Sequence, residues 1–579
     1  MSGATLLPRW LRITAVVGVA LLALPIIGLL VDVRWGGLVT TLTSPSALIA
    51  LRLSLVTALA ATALALLVGL PVALWMARSE TGSVLLRIVR TLVLLPLVLP
   101  PVVGGIALLS TYGRRGLVAP LADVLGIDIA FTTLAVVLAQ TFVSAPFLIL
   151  TVEGALRARG TAYEATALTL GAGPTRTLAT ITLPLLAQGL GAGLVLTFAR
   201  ALGEFGATIT FAGSLQGTTR TLPLEIYLTR EIDQDSAVAL SLLLMVVAAV
   251  VVAFAYRSPG ADGLRRSLGA RSRPADSAPV GAGAVPAGTD SDPGTTVPEG
   301  AEDSTTHRGA TSEPDTHRGA TPAPASVIPA PTAAAPALDA HVVVPERGVD
   351  VAFHVPAGQT LAIIGANGSG KSTVLDTLAG LVPSSSGHLH LGGRTLAGPD
   401  VRAPQPPHRR GITRLGQDPL LFPHLSLQRN VAFGLRAVGT DRARAQEQAH
   451  QWLDRVGLAH LSDRRPDQVS GGQAQRAGVA RALAARPELS LWDEPFAALD
   501  VDAAPRLRDL LAGHLAGRTA VVVTHDLADV RALADRVLVL DRGRVVQDVS
   551  AEEFLRSPSA GFAQRLTAGE RVPRSKAGE

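Results

Sequence analysis

Six apolar stretches, each long enough to cross a lipid bilayer, precede residue 257 in this chain of 579 residues. They lie at about 10–32, 49–76, 88–111, 129–151, 186–212 and 236–256. About 20 residues of helix span the hydrocarbon core, where only helices or closed barrels satisfy the backbone. No clean small-residue cleavage site follows the first stretch, so we expect it to be retained. The sequence therefore predicts an α-helical membrane domain with six spans at 1–257.

Arginines near these stretches indicate which side of the membrane each connecting segment occupies. If the N-terminus is cytoplasmic, most of them fall in inside segments, among them Arg78, Arg87, Arg157 and Arg176. Basic residues favour the cytoplasmic side, so six spans place everything after Tyr256 in the cytoplasm. This bias accounts for the basic composition, and we expect no nucleic-acid partner. The absence of cysteine excludes disulfides and thiolate chemistry.

The composition changes to Ala, Gly, Pro, Ser and Thr over about 258–336, where THRGAT occurs twice. Such a segment buries too little apolar surface to offset its chain entropy, so we expect a disordered linker. Its histidines His307 and His317 are better explained as solvated residues than as metal ligands. Short apolar runs and helical periods return at 337–568 and predict an α/β nucleotide-binding domain, followed by a tail at 569–579.

A glycine-rich loop in this second domain contains Lys371, the only lysine among the first 575 residues. The sequence GANGSGKST has the spacing of a phosphate-binding loop, in which glycines let backbone N–H groups turn toward phosphates. A compact ammonium reaches the same oxygens, where a planar guanidinium would not fit. The loop predicts ATP binding through Gly365, Asn367, Gly368, Ser369, Gly370, Lys371, Ser372 and Thr373.

Four further motifs follow in a fixed order. They are Gln417 in RLGQDPLLFPHLS, VSGGQ at Val469–Gln473, an apolar strand ending in Asp493 and Glu494 with Asp500 beyond it, and AVVVTHD with His525. Their joint spacing resembles the ATP-binding cassette (ABC) family over the whole domain. The resemblance implies an α/β ATPase that hydrolyses ATP with Mg²⁺.

Phosphoryl transfer to water requires donors around the phosphates, a Mg²⁺ ion and an oriented water molecule. We expect Ser372 and Asp493 to hold Mg²⁺ and Glu494 to be the general base. The resemblance implies that His525 contacts the γ-phosphate and that Gln417 senses it beside the metal. Alone, His525 is better explained as an ordinary residue at a strand end, and it is the joint spacing of the motifs that favours the catalytic role.

The VSGGQ motif begins a helix-like run and predicts a second anion site, because helix N-termini bind anions. The resemblance implies that Ser470, Gly471, Gly472 and Gln473 meet ATP held by a partner subunit, so that two cassettes sandwich two ATP molecules head to tail. Asp500 is expected at the nucleotide, with helix capping as the alternative. The family usually stacks adenine on an aromatic residue before the phosphate loop. None lies between His341 and Val351, and Phe353 is the nearest candidate.

The segment Tyr163–Leu186, between the fourth and fifth spans, resembles the coupling loop of ABC importer permeases and contains its Glu164, Ala165 and Gly171. Gly171 keeps the usual spacing, whereas Glu164 lies one residue early. The alternative is an ordinary amphipathic surface helix. Prolines and glycines in the third span, Pro96 to Gly105, require a break there and suggest a transport path, although simple packing kinks are equally compatible. Arg200 and Glu204 in the fifth span share a helix face, as a gate or as an internal brace.

The third and fifth spans, together with TRTLPLEIY at Thr219–Tyr227, closely resemble molybdate ABC permeases. Sulfate permeases share much of the pattern in the fifth span. The resemblance implies a permease fused to its ATPase, acting as a homodimer in the cytoplasmic membrane with a separate extracytoplasmic oxyanion-binding protein. Molybdate or tungstate is the expected substrate, with sulfate or thiosulfate as the alternative. An ABC exporter or a membrane-tethered regulatory ATPase also stays open.

Overall fold

The computed structural model describes residues 9–79, 82–256, 335–500 and 502–558, together with 561 and 564. Apart from residues 335 and 336, the predicted linker at 258–336 lies outside the described residues, with His307 and His317. The predicted tail at 569–579 also lies outside them.

The described part of the N-terminal region consists of helices, which confirms the predicted helical membrane domain. They are α1 (Arg9–Asp32), α2 (Leu38–Leu42), α3 (Pro45–Arg78), α4 (Val84–Val98), α5 (Pro101–Tyr112), α6 (Ala119–Leu125), α7 (Thr133–Arg159), α8 (Ala162–Thr169), α9 (Pro174–Thr177), α10 (Leu183–Leu202), α11 (Gly206–Ala212), α12 (Leu222–Arg230) and α13 (Gln234–Tyr256). Among the described residues, five helical runs can each cross a membrane by length and composition, and α4 with α5 makes a sixth span when taken together.

The third span is broken where the sequence requires it. A residue that precedes proline is pushed out of the helical region. Leu99 precedes Pro100, which itself precedes Pro101, and both Leu99 and Pro100 are extended, with ψ of 133° and 137°. As a result α4 and α5 are bent by 119° relative to each other. The predicted break is confirmed at the Pro-Pro pair, whereas Pro96 stays within α4.

The fifth apolar stretch, predicted as one span at about 186–212, is instead two helices. α10 ends at Leu202, and α11 begins at Gly206. Between them the buried Glu204 turns back, and its Oε1 accepts a hydrogen bond of 2.9 Å from the backbone N–H of Ala207. The carboxylate thus satisfies a free donor of the new helix. Hydropathy gave no sign of this break because the residues immediately beside Glu204, from Ala201 to Ala207, are otherwise apolar or small.

The C-terminal region is an α/β domain, as predicted. Its strands are β1 (Leu338–Val344), β2 (Val349–Val355), β3 (Thr360–Gly365), β4 (Ser386–Leu391), β5 (Arg394–Ala397), β6 (Ile412–Leu415), β7 (Leu489–Asp493), β8 (Ala520–Val523), β9 (Arg536–Asp541) and β10 (Arg544–Ser550). Its helices are α14 (Lys371–Ala379), α15 (Leu427–Ala437), α16 (Arg442–Arg455), α17 (Gly471–Ala484), α18 (Ala503–Leu515), α19 (Leu527–Leu533) and α20 (Ala551–Arg556).

Two sheets organise this domain. One has the order β10-β9-β3-β8-β7-β6 and is parallel except for the β10–β9 pair, and the other is the antiparallel sheet β2-β1-β4-β5. The strands β3, β7 and β8 are buried along their whole length, as expected of central parallel strands. Their carboxyl ends meet at one edge, where ligands bind in open α/β sheets. This edge brings together the phosphate loop, Asp493 and the segment leading to His525.

Candidate functional site

The phosphate loop joins the end of β3 to the start of α14. Gly370 has φ of +100°, and a Cβ there would lie 2.8 Å from Cγ2 of Val349, so glycine is required. The Lys371 ammonium donates hydrogen bonds of 2.7 Å to the carbonyl of Gly365 and 2.9 Å to that of Ala366. Burial lowers the pKa of Lys371, and the carboxylates of Glu494 and Asp493 oppose that shift. The loop therefore places its only cationic side chain, that of Lys371, beside the cavity described below.

Asp493 ends β7 and is almost completely buried. Its Oδ2 accepts a hydrogen bond of 3.2 Å from the Ser372 hydroxyl and lies 3.2 Å from the Arg414 guanidinium. Burial raises the pKa of Asp493, whereas Arg414 and the Ser372 hydrogen bond act in the opposite direction. Ser372 and Asp493, both predicted to hold Mg²⁺, therefore lie in direct contact.

Glu494 follows Asp493 in the left-handed region, with φ of +50°, which is unusual for a residue other than glycine. This turn directs its carboxylate toward the end of β8, where Oε1 lies 3.2 Å from Nδ1 of His525. Backbone strain of this kind concentrates at functional sites. The structure thus places the expected base and the expected γ-phosphate contact side by side.

A cavity of about 370 Å³ lies over the loop. Its lining residues are Arg347, Asn367, Gly368, Gly370, Lys371, Ser372, Thr373, Gln417, Asp493 and Glu494. Eight predicted positions in two motifs, with Gln417 from a third, therefore line the same cavity. Ser369, in the same loop, is buried. Gly365, at the end of β3, has no room for a side chain, because a Cβ there would lie 2.4 Å from the carbonyl oxygen of Leu540.

The VSGGQ residues do not line this cavity. Ser470 and Gln473 form a capping box at the N-terminus of α17. The Ser470 hydroxyl accepts a hydrogen bond of 3.2 Å from the Gln473 backbone N–H, and the side-chain Oε1 of Gln473 accepts one of 2.9 Å from the Ser470 backbone N–H. Gly471 and Gly472 form the first turn. Asp500 does not line the cavity either, and its Oδ1 accepts a 2.7 Å hydrogen bond from the N–H of Ala503, the first residue of α18.

One residue that lines the cavity, Arg347, belongs to none of the predicted motifs. Phe353, the nearest aromatic candidate, is buried in the core of the antiparallel sheet and cannot stack on a ligand. Arg347, in the turn between β1 and β2, lines the cavity instead. Arg347 was not predicted from the sequence, because only an aromatic residue was expected to stack on adenine.

The segment between α7 and α10 packs against the α/β domain. Ala167, Leu170 and Ile181 are buried in one cluster with Phe422 and Phe433. The full cluster is Ala167, Leu170, Ala172, Ile181, Leu185, Phe422, Phe433 and Ala485. Gly171 has φ of +89°, and a Cβ there would lie 3.3 Å from Cγ1 of Val438. The Thr413 hydroxyl also donates to the Thr169 carbonyl at 3.4 Å.

A proline creates one more contact across this surface. Pro184 has no N–H, so the carbonyl four residues earlier, that of Thr180, loses its helical partner, and residues Leu178–Thr182 form a π-helical turn. The Thr180 carbonyl instead accepts a 2.8 Å hydrogen bond from Nε2 of His424 in the α/β domain. Burial lowers the pKa of His424, which keeps the ring neutral. This contact between Thr180 and His424 was not predicted from the sequence, in which the two residues are 244 positions apart.

Glu164 and Ala165 lie in α8, on the same segment. Glu164 forms an ion pair of 2.5 Å with Arg78 at the end of α3, and it accepts a 3.3 Å hydrogen bond from the Thr182 hydroxyl. Its contacts therefore lie within the membrane domain, where they hold α8 in place for Leu170 and Gly171 to meet the α/β domain.

A second cavity, of about 190 Å³, lies at the break in the third span. It is lined by Pro96, Leu97, Leu99, Pro100, Pro101, Gly104, Phe142, Val143, Phe147 and Arg200. Arg200 is the only charged residue in this lining, and its guanidinium lies 2.8 Å from the buried Glu204 carboxylate. The break in the third span and the Arg200–Glu204 ion pair, which were considered separately in the sequence, therefore lie beside the same cavity.

Comparisons with known proteins agree with this division. Residues 69–258 match the family described as the inner membrane component of binding-protein-dependent transport systems, and residues 349–497 match the ABC transporter family. The molybdenum transport system permease protein ModB of Mycobacterium tuberculosis is 56% identical over 252 residues, which cover 44% of this chain and 95% of ModB. This chain belongs to the ABC transporter family. It joins an importer-type permease and an ABC ATPase in one polypeptide.

The ATPase half of this ABC transporter has several named relatives. The molybdenum import ATP-binding protein ModC of M. tuberculosis is 45% identical over 235 residues, 40% of this chain and 64% of ModC. A sulfate/thiosulfate import ATP-binding protein, CysA 2 of Agrobacterium fabrum, is 39% identical over 221 residues, 38% of this chain and 63% of CysA 2. A solved dimer of the cassette MJ0796 with ADP and phosphate is 26% identical and covers 37% of this chain and 98% of that cassette, with a TM-score of 0.33.

Proposed function

We propose that this ABC transporter imports an oxyanion, molybdate or tungstate, across the cytoplasmic membrane at the expense of ATP. The observation that carries the substrate is the match to a molybdenum permease along 95% of that permease. Residues 1–257 would form the permease and 337–568 the cytoplasmic ATPase, with 258–336 as the linker. Sulfate or thiosulfate is the alternative, which the similarity to a sulfate/thiosulfate cassette supports.

In the proposed ATPase reaction, the phosphate loop and Lys371 bind the β- and γ-phosphates. Ser372, Asp493 and Gln417 present hard oxygen ligands, the type that Mg²⁺ prefers, and they line one cavity. A bound Mg²⁺ would neutralise phosphate charge. Glu494 accepts a proton from the attacking water as its oxygen bonds to the γ-phosphorus, and ADP departs. His525, 3.2 Å from Glu494, is placed to donate a hydrogen bond to the γ-phosphate oxygens.

The active unit is proposed to be a homodimer. The capped N-terminus of α17 lies outside the cavity of its own chain, although its residues Ser470 to Gln473 suit an anion. A second copy placed head to tail would bring this helix end to the γ-phosphate. Each ATP would then be enclosed by residues of both chains.

Coupling is proposed to run through the surface formed by Leu170, Gly171 and Thr180 with Phe422, Val438 and His424. Its apolar cluster is buried, so the two domains must move together when the cassettes close. Closing would turn the permease outward to accept the oxyanion from a separate binding protein, and hydrolysis would reset it. The oxyanion would pass the third-span break, where Arg200 lines the cavity.

The test is elemental analysis of cells that lack their own molybdate uptake and express the full chain with its binding protein. Molybdate is limiting, sulfate is in excess, and Glu494→Gln is the control. We expect molybdenum to accumulate in cells with the wild-type chain only. Accumulation of sulfur instead would reassign the substrate to sulfate, and ATPase activity with no oxyanion uptake would favour an exporter or a regulatory ATPase.

A further inference from the structure

The exposed face of the antiparallel sheet carries a group of imidazoles and carboxylates that the transport cycle does not use. β1 and β4 are paired with Asp339 opposite His390 and His341 opposite His388. Side chains at alternate positions share a face, so Asp339, His388 and His390 project on the same side. The other face of these strands packs into the core through Ala340, Leu389 and Leu391.

Each of these three residues offers one ligand atom, and the three atoms lie within 4.8 Å of one another. A tetrahedral zinc ion with bonds of about 2.0–2.1 Å needs its ligand atoms about 3.3 Å apart. Side-chain rotation alone closes that difference, because His388 and Asp339 are already in contact at 3.2 Å between Nε2 and Oδ2. The backbones are held by paired strands and need not move.

A contact with a neighbouring strand orients one of the three ligands. Nδ1 of His390 lies 3.0 Å from the Thr395 hydroxyl of β5, its register partner. This hydrogen bond occupies Nδ1 and leaves Nε2 for a metal, as outer hydrogen bonds do at metal-binding histidines. His341, in edge contact with His388 at 6.1 Å between ring centroids, is held by Asp350 at 2.8 Å. The cluster thus has both ligands and supporting contacts.

We propose that Asp339, His388 and His390 bind a divalent transition-metal ion of the zinc class, with water in the fourth position. Two imidazoles and one carboxylate form a donor set that suits Zn²⁺, and soft thiolate competitors are absent from this cysteine-free chain. The ion would join β1 to β4 and stabilise the antiparallel sheet. This site is separate from the proposed ATP site, so its failure would leave the transport proposal intact.

The experiment uses the full-length protein in detergent, purified without a polyhistidine tag, stripped with chelator and kept free of nucleotide. Bound Zn²⁺ is measured by equilibrium dialysis with elemental analysis, and Co²⁺ absorption reports tetrahedral coordination. We expect His388→Ala/His390→Ala to lose one bound ion per chain. His460→Ala, which removes an exposed histidine elsewhere in the same domain, should retain it.

A stability measurement guards against misfolding of the double variant. Zn²⁺ should raise the thermal midpoint of the wild type and of His460→Ala, because a ligand that binds only the folded state stabilises it. Asp339→Asn keeps the side-chain shape and should weaken binding roughly tenfold or more. Equal Zn²⁺ content in wild type and all cluster variants, or an equal midpoint shift in all of them, would overturn the proposal.

Discussion

The cassette and the membrane domain use charged residues in opposite ways. In the cassette, Lys371, Asp493 and Glu494 converge on an open cavity of about 370 Å³, ready for an external ligand. In the membrane domain, Arg200 and Glu204 satisfy each other at 2.8 Å beside a cavity whose other lining residues are uncharged. The comparison indicates that ATP chemistry and substrate passage are separable, with the coupling surface between them. Substitutions in the cassette should therefore change ATP hydrolysis, whereas substitutions at the Arg200–Glu204 pair should change oxyanion uptake.

The largest expected effect lies in the cassette. Glu494→Gln removes the proton acceptor but keeps the size of the side chain, so ATP hydrolysis should fall about 10²- to 10⁴-fold while ATP binding persists. Phosphate release and nucleotide binding measure the two separately. His525→Ala is the companion variant, and near-normal turnover in Glu494→Gln would remove Glu494 from its assigned role.

In the membrane domain, Arg200→Gln should abolish most oxyanion uptake and leave basal ATPase activity intact. The single change also leaves the buried Glu204 unpaired, which costs about 3–5 kcal/mol in comparable sites. The double variant Arg200→Gln/Glu204→Gln removes that cost. Uptake that returns in the double variant would show a structural brace, whereas uptake that stays absent supports contact between Arg200 and the anion.

Loss of a single contact in the coupling surface should reduce the coupling between ATP hydrolysis and transport without abolishing it. His424→Ala removes one hydrogen bond worth about 0.5–1.5 kcal/mol, so transport per ATP should fall about 2- to 10-fold. Uptake and phosphate release in the same vesicles give this ratio. In a Pro184→Ala background a backbone N–H becomes available near the Thr180 carbonyl, and the effect of His424→Ala should shrink. An unchanged effect there would contradict the assigned cause.

The smallest expected effect concerns the nucleotide base. Arg347→Ala should raise the KM for ATP about 2- to 5-fold, with kcat little changed, because cation–π stacking at exposed sites contributes about 0.5–1 kcal/mol. Steady-state ATPase assays measure both parameters. Arg347→Tyr should restore affinity by offering another stacking surface, and an unaltered KM in Arg347→Ala would place the base elsewhere.

The sequence predicted the two-domain architecture and most of the residues that line the cavity over the phosphate loop because the relevant signals are local. Glycines of the phosphate loop, the acid pair after β7 and the Pro-Pro break each act within a few residues. Arg347 was missed because strand pairing, not sequence spacing, brings the β1–β2 turn to the cavity. The contact between Thr180 and His424 joins positions 244 residues apart. The break after α10 involves the hydrogen bond from the Ala207 N–H to the Glu204 carboxylate, and a hydropathy profile does not show such a contact.

The packing of Leu170 against Phe422 and Phe433 occurs within one polypeptide. In transporters made from separate permease and ATPase chains, such a contact depends on the concentrations of both. Here the two surfaces are always present in equal number, and their encounter is governed by an effective concentration that dilution does not change. Cells that express this chain therefore cannot accumulate unpartnered cassettes that hydrolyse ATP without a membrane half.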